Sequence, residues 1–269
     1  MKYVVDHDYH IHTQLSPCSS DPEQNAERLL RYAKENGFKR ICVTDHYWDA
    51  QTEGATNWYR PLDFECISSI CPLPQTEGVE FLFGAETEFN KEFRIGMPVS
   101  RFDSFDFVII PTTHLHITGL TIEPEDATSE DTNRIRAELW VKRLDALLDL
   151  DLPFHKIGIA HPACRLINKK STEDYLDVLT RISSNDMERL FAKAAKLGCG
   201  IEINQSDVNQ MMIAPDEVSR MFKIAKNMGC KFYLGSDAHH PKALDSAKER
   251  FEYAVDLLCL EESDKFFIS

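Results

Sequence analysis

Short, mostly apolar runs recur along the chain at Asp8–Thr13, Arg40–Thr44, Val79–Ala85, Phe107–Thr112, Lys156–Ala160, Gly200–Asn204 and Lys231–Ser236. They are too short for helices and rich in Ile, Val and Phe, so they predict seven buried strands. Between several of them the pattern changes to a helical period. "SSDPEQNAERLLRYAKENGF" predicts a helix capped by Asp21, with Pro22 at its first position and Gly37 as its stop. "SNDMERLFAKAAKLG" predicts another, with Asn185 and Glu188 spaced like a capping box and Gly198 at the end. "APDEVSRMFKIAKNMG" and "HPKALDSAKERFEYAVDLLCL" supply two more. The stretches Tyr47–Gly78 and Leu120–Arg134 are less regular and read as long loops. Continuous apolar strands alternating with helices imply parallel β/α units, and seven units imply an α/β barrel, closed or nearly so. No repeat or low-complexity linker interrupts the pattern, so one domain over residues 1–269 is expected.

A barrel of this kind holds its chemistry at the C-terminal ends of its strands. The polar residues there form a set. His10 and His12 close the first strand, two residues apart and therefore on one side. His46 follows the second strand, Glu86 the third, His114 the fourth and His161 the fifth. Asp237 and His239, again two apart, follow the last strand, and the remaining one ends in Glu202 and Asn204. Six of the ten histidines belong to this set.

A lone histidine in a barrel loop is usually a hydrogen-bonded structural group. Six imidazoles and two carboxylates packed at one end would leave polar groups unsatisfied or charges opposed. Divalent metal ions resolve that conflict, and neutral imidazole with carboxylate suits Zn, Mn or Fe. Eight ligands are too many for one four-coordinate ion, so two or three ions are expected.

Charge and cysteine content narrow the setting. The net charge of −14 argues against a nucleic-acid track, which needs clustered Lys and Arg, but leaves room for a small anionic substrate in a local cleft. No stretch approaches the roughly 18 apolar residues of a membrane span, and "MKYVVDHDYH" has no signal-peptide pattern. The eight cysteines are scattered without a CxxC pair, which fits buried free thiols in a reducing cytoplasm.

In order along the chain, "DYHIH", "TDH", "GAE", "TTH", "AHP" and "GSDAHH" resemble the motifs of the PHP (polymerase and histidinol phosphatase) family of metal hydrolases. They run from Asp8 to His240. The resemblance implies a distorted (β/α)7 barrel with a trinuclear centre. One ion would be held by His10, His12, Glu86 and Asp237. A second would share Glu86 and add His114 and His161. A third would use His46 and His239. Members of the family often complete that third site with a histidine or aspartate from the loop after HxH. Here that loop, "TQLSPCSSD", has no histidine, and Cys18 is the better substitute because Asp21 has a rival role as helix cap. Asp8 is expected to be a strand-start residue or one standing behind the ligands, placed to orient an imidazole.

The activity so implied is hydrolysis of a small phosphorylated substrate, a phosphomonoester such as histidinol phosphate, by a hydroxide bridging two metals. His239, Asp237 or a metal-bound water would protonate the leaving oxygen. Arg165, just past His161, is expected to hang over the site and bind phosphate. His116, two residues beyond His114, could face the same cleft, and Arg60 beside Trp58 and Tyr59 is a further candidate. Lys169 and Lys170 read as a solvated pair. Two rivals stand beside this reading: a phosphodiesterase, and a metal-binding domain without catalysis.

Overall fold

The computed structural model describes residues 1–19 and 21–268. Its strands are β1 (His7–Ile11), β2 (Arg40–Val43), β3 (His46–Tyr47), β4 (Glu80–Thr87), β5 (Phe107–Pro111), β6 (Ile157–Ala160), β7 (Gly200–Asn204) and β8 (Lys231–Gly235). All paired strands are parallel, in the order β1-β2-β4-β5-β6-β7-β8, with the two-residue β3 added beside the end of β4. β1, β5, β6 and β7 are buried throughout, as their near-continuous apolar runs require. The expected α/β barrel, a distorted (β/α)7 barrel, is thus the observed architecture.

The barrel closes between β1 and β8, where a full ladder is missing. Asp237 N donates to His10 O at 2.7 Å and His12 N to Ala238 O at 3.3 Å. The buried Gln24 amide donates to His12 O and Ala238 O, stitching both edges at once. Asp8 completes the seam. Its carboxylate accepts from Ser236 N and from the Tyr32 hydroxyl, both at 2.9 Å. Burial pushes its pKa up to about 6. Asp8 therefore ties strands together and contacts no ligand imidazole; the expectation that it orients one is corrected by the direction of its side chain.

The helices are α1 (Ala26–Asn36), α2 (Phe64–Ser68), α3 (Pro124–Thr128), α4 (Thr132–Leu148), α5 (Thr172–Arg181), α6 (Ser184–Leu197), α7 (Gln205–Ile213), α8 (Pro215–Asn227), α9 (Pro241–Leu244) and α10 (Ala247–Leu257). Two caps differ from expectation. Asn25, not Asp21, caps α1 by accepting from Arg28 N, and Ser183, not Asn185, caps α6 by accepting from Asp186 N. Gly37 and Gly198 end these helices with φ of +70° and +81°, as anticipated. The expected last helix is broken into α9 and α10. The two loops contain structure: α2 lies in the first, α3 and the start of α4 in the second.

α4 positions the active end. Arg143 is fully buried within it and donates to the carbonyls of Phe89, Asn90, Thr112 and Thr121. One guanidinium thereby fixes the loops that leave β4 and β5, supplying donors to carbonyls buried around it. Burial lowers its pKa to about 10, so it stays charged at neutral pH. Inside the barrel, Leu82 and Tyr233 lie four residues before Glu86 and Asp237 and point the same way. They join Cys42, Phe107, Ile109 and Ala160 in an apolar cluster, which Phe266 and Ile268 extend. Among the described residues, no helix is long and apolar enough to cross a membrane.

Candidate metal centre

At the C-terminal ends of the strands, eight side chains from distant parts of the sequence converge. Among the described residues, three groups have ligand-type atoms within 4.8 Å of one another: His10, His12 and Asp237; His12, His46 and His239, which shares His12 with the first; and Glu86, His114 and His161. Glu86 stands at the middle. Its Oε2 is 2.9 Å from His46 Nδ1, 3.4 Å from His12 Nε2 and 3.6 Å from His10 Nε2. Its Oε1 faces the other way, 3.3 Å from His161 Nε2 and 3.8 Å from His114 Nε2. Asp237 Oδ1 lies 3.1 Å from His12 Nε2 and 3.3 Å from His10 Nε2.

The outer nitrogens of most of these rings are engaged, which leaves the inner ones free. His10 Nδ1 contacts Glu202 at 2.8 Å, His12 Nδ1 contacts Ser16 at 3.2 Å, and His114 Nδ1 contacts Glu88 at 2.7 Å. His161 Nδ1 contacts Thr113 Oγ1 at 2.8 Å, and His239 Nδ1 donates to the Asp237 carbonyl at 2.7 Å. Five imidazoles are thus anchored from behind, with Nε2 turned inward, the arrangement that fixes tautomer and aim in metal sites. Nε2 of His10 and Nε2 of His12 meet at 3.1 Å. Two such nitrogens converge favourably only around a proton or a cation. The donor set fits divalent ions, with His10, His12, Glu86, Asp237, His114, His161, His46 and His239 as the residues that would hold them.

Backbone geometry and one glycine serve the same end. His161 and Asp237 adopt φ of +28° and +53°, a region L-residues rarely occupy and which clusters at functional sites. Gly235 has no side chain because Glu202 lies across it: a Cβ there would meet Glu202 Oε1 at 1.9 Å and His10 Cβ at 2.7 Å. Glu202 also accepts from His161 N at 2.6 Å, so one carboxylate steadies ligands from two strands.

A model of the PHP domain matches residues 8–206. The chain belongs to the PHP domain family. Two proteins named probable phosphatase, from Thermoanaerobacter sp. (strain X514) and Thermoanaerobacter pseudethanolicus (strain ATCC 33223 / 39E), are each 30% identical over 244 residues, covering 89% of this chain and 80% of theirs. Among solved structures, histidinol phosphate phosphatase from Lactococcus lactis, complexed with Zn, L-histidinol and phosphate, aligns over 97% of this chain and 98% of its own at a TM-score of 0.57 and 15% identity, a likeness of fold. This PHP chain is accordingly a metal-dependent phosphatase.

The PHP site opens into a cleft of about 520 Å3 lined by Cys18, Trp58, Tyr59, His116, Ile117 and Leu166 above the ligand residues. Cys18 lies in the cleft but in none of the three ligand groups; His12 occupies the third corner beside His46 and His239. Burial, with Glu86 and Asp237 nearby, pushes the Cys18 thiol up to about 12. Asp21 turns away to pair with His240 at 2.9 Å. Arg165 and Arg60 do not line the cleft. The Arg165 guanidinium donates to Thr172 Oγ1 and lies over the Tyr175 ring, because its short 3-10 turn aims it outward. Arg60 borders a separate hollow beside Trp48 and Asp49. His116 does reach the cleft, held neutral by burial and by the charges of His114 and Lys169, its pKa down to about 3.

Sequence reading missed Glu88, Asp45 and Thr113 and left Glu202 without a role. Glu88 could have been noticed as "ETE", two residues beyond Glu86 and on the same side. Asp45, in "TDH", accepts from Thr13 N and from the hydroxyls of Thr13 and Ser16, which braces the loop after β1. Replacing Glu88 by Gln removes the charge behind His114. It is expected to weaken metal binding roughly 10–100-fold with the fold intact, read by chelator competition.

Protons substitute for metal at this centre, and they set a pH dependence. Burial opposes charge on His12, but Asp237 and Glu86 outweigh it and raise its pKa to about 9. A raised folded-state pKa stabilises below the ordinary value near 6.5 and ceases to do so as pH climbs through about 9. Chelator-treated protein is therefore expected to lose thermal stability between pH 6.5 and 9, and metal loading at pH 7 to release protons. Calorimetry in buffers of different ionisation enthalpy counts those protons; a buffer-independent heat would contradict the assignment.

Proposed function

We propose that this PHP phosphatase hydrolyses a small phosphomonoester, binding the phosphate at the three ligand groups and the alcohol portion in the adjoining cleft. The observation that carries the reading is Glu86, whose two oxygens each face a separate set of histidines. Zn, Mn or Fe bound there would supply Lewis acidity toward phosphoryl oxygens and acidify a nucleophilic water.

The chain's own residues do the positioning. Asp237, His10 and His12 make one face of the phosphate site, His114 and His161 the opposite face, and His46 and His239 the outer rim. His239 commits its Nδ1 hydrogen to the Asp237 carbonyl, which leaves Nε2 as a lone pair suited to a cation. Asp237, flanked by His10 and His12, is held well below the usual carboxylate range despite its burial. Neither group carries a spare proton at neutral pH, so we assign protonation of the leaving oxygen to water. Trp58 and Tyr59, edge-on to His46, wall one side of the cleft and exclude bulk solvent. The unpaired thiols favour a cytoplasmic setting.

Chromogenic mono- and diesters, assayed with defined Zn, Mn or Fe, test this reading. Phosphate release from the monoester is expected, with loss of at least about 100-fold in Asp237→Asn and His161→Ala. Turnover of the diester alone would favour a phosphodiesterase. Wild-type activity in both variants would remove metal hydrolysis altogether.

A further inference from the structure

A recess of about 250 Å3 adjoins the cleft and shares His116 with it. Its other polar lining is Thr132, Arg136, Asn168, Lys169 and Lys170, with no carboxylate. This is unusual in a chain of 44 acidic and 30 basic residues. Of its three cations, only Lys170 has a carboxylate within ion-pair range among the described residues, Asp174 at 3.8 Å. Arg136 is built in. Its guanidinium donates to Thr132 Oγ1, Leu115 O and Ile167 O at 3.1, 2.6 and 2.7 Å, which fixes the charge at the base of the recess. The metal cleft itself has no Lys or Arg in its lining, and its apolar lining includes Ile117 and Leu166. Of the two adjoining cavities, only the recess carries Lys or Arg, and His116 is the residue the two share.

From this juxtaposition we infer that Arg136 and Lys169 form a second anion subsite, so that the substrate is a phosphomonoester whose alcohol portion carries a remote carboxylate or phosphate. The inference rests on the phosphomonoester reading above. The hydrolysed phosphate sits at the metal ligands, an uncharged spacer lies against Ile117 and Leu166, and the distal anion reaches past His116. His116 lines both the cleft and the recess, so its ring can donate one hydrogen bond to an anion that spans the two. Lys169, exposed at the rim, is a specificity-determining residue; Arg136 also holds backbone, so it is left unaltered in the test.

The metal-loaded protein is titrated by calorimetry with phosphonoalkanoates of increasing chain length, the matching α,ω-bisphosphonates, and the methyl esters of the phosphonoalkanoates. The doubly anionic series is expected to bind about tenfold more tightly than the esters at one preferred length, and Lys169→Glu to erase that gain while leaving the ester Kd unchanged. Which series gains identifies carboxylate or phosphate as the distal group. Equal binding of acids and esters, or an equal loss for both in the variant, overturns the subsite. Phosphate release from the corresponding monoesters is measured in parallel. A subsite that binds without turnover would sink the phosphatase reading and spare the subsite; turnover without preference would do the reverse.

Discussion

Glu86→Gln is expected to lower kcat/KM by roughly a thousandfold, since a metal's contribution to transition-state charge is several kcal/mol and each tenfold in rate is about 1.4 kcal/mol. The variant keeps the shape of the side chain and removes the charge that faces five imidazoles. An amide oxygen can still accept on one side, but its NH2 then points at the histidines of the other. The loss should therefore fall on both ligand sets together, and metal analysis should find occupancy reduced by more than one ion. Circular dichroism is expected to be unchanged, because strand pairing around Glu86 uses its backbone. Retention of full occupancy with low activity would instead make Glu86 a proton-transfer group.

Gly235→Ala reaches the same centre from behind. The new methyl would occupy the space of Glu202 Oε1. Glu202 cannot retreat freely, because it also holds His161 N and Asn204. Overpacking of this sort costs about 1–3 kcal/mol, and loss of the carboxylate behind His10 weakens metal binding roughly 10–100-fold. Thermal melts with and without chelator separate the two effects. A lower Tm in both, with the larger drop when metal is present, is the expected pattern; equal drops would mean that Glu202 packs without steering His10.

The convergence of these eight side chains was readable in the sequence because each follows an apolar run, and strand ends in a parallel barrel share one rim. Spacing of two carried the pairs His10/His12 and Asp237/His239. Direction at loops was not readable. Arg165 stands four residues past His161, yet a 3-10 turn sends it toward Tyr175. The cap of α1 was misplaced because Asp21 and Asn25 both suit the role, and only the path of the loop after β1 decides between them. Much of α4 was missed for another reason. Its buried face includes Arg136 and Arg143 among Trp140, Leu144 and Leu147, so polar residues sit where periodicity expects apolar ones. The partners behind the ligands, Glu88, Glu202 and Thr113, show themselves only when the strands are brought side by side.

The seam between the first and last strands gives the centre a place in the life of the chain. His10 and His12 emerge from synthesis more than 220 residues before Asp237 and His239. The same hydrogen bonds that seat Asp237 against His10 also shut the barrel. Cofactor acquisition and ring closure are consequently one event. A nascent PHP chain can hold a stray ion on its opening HxH pair, but it cannot assemble the full cluster until the closing strand docks. A metal bound there would work as a clasp: it would draw the first and last strands together and make the finished barrel harder to reopen, by the mass action of a ligand that binds only the closed form.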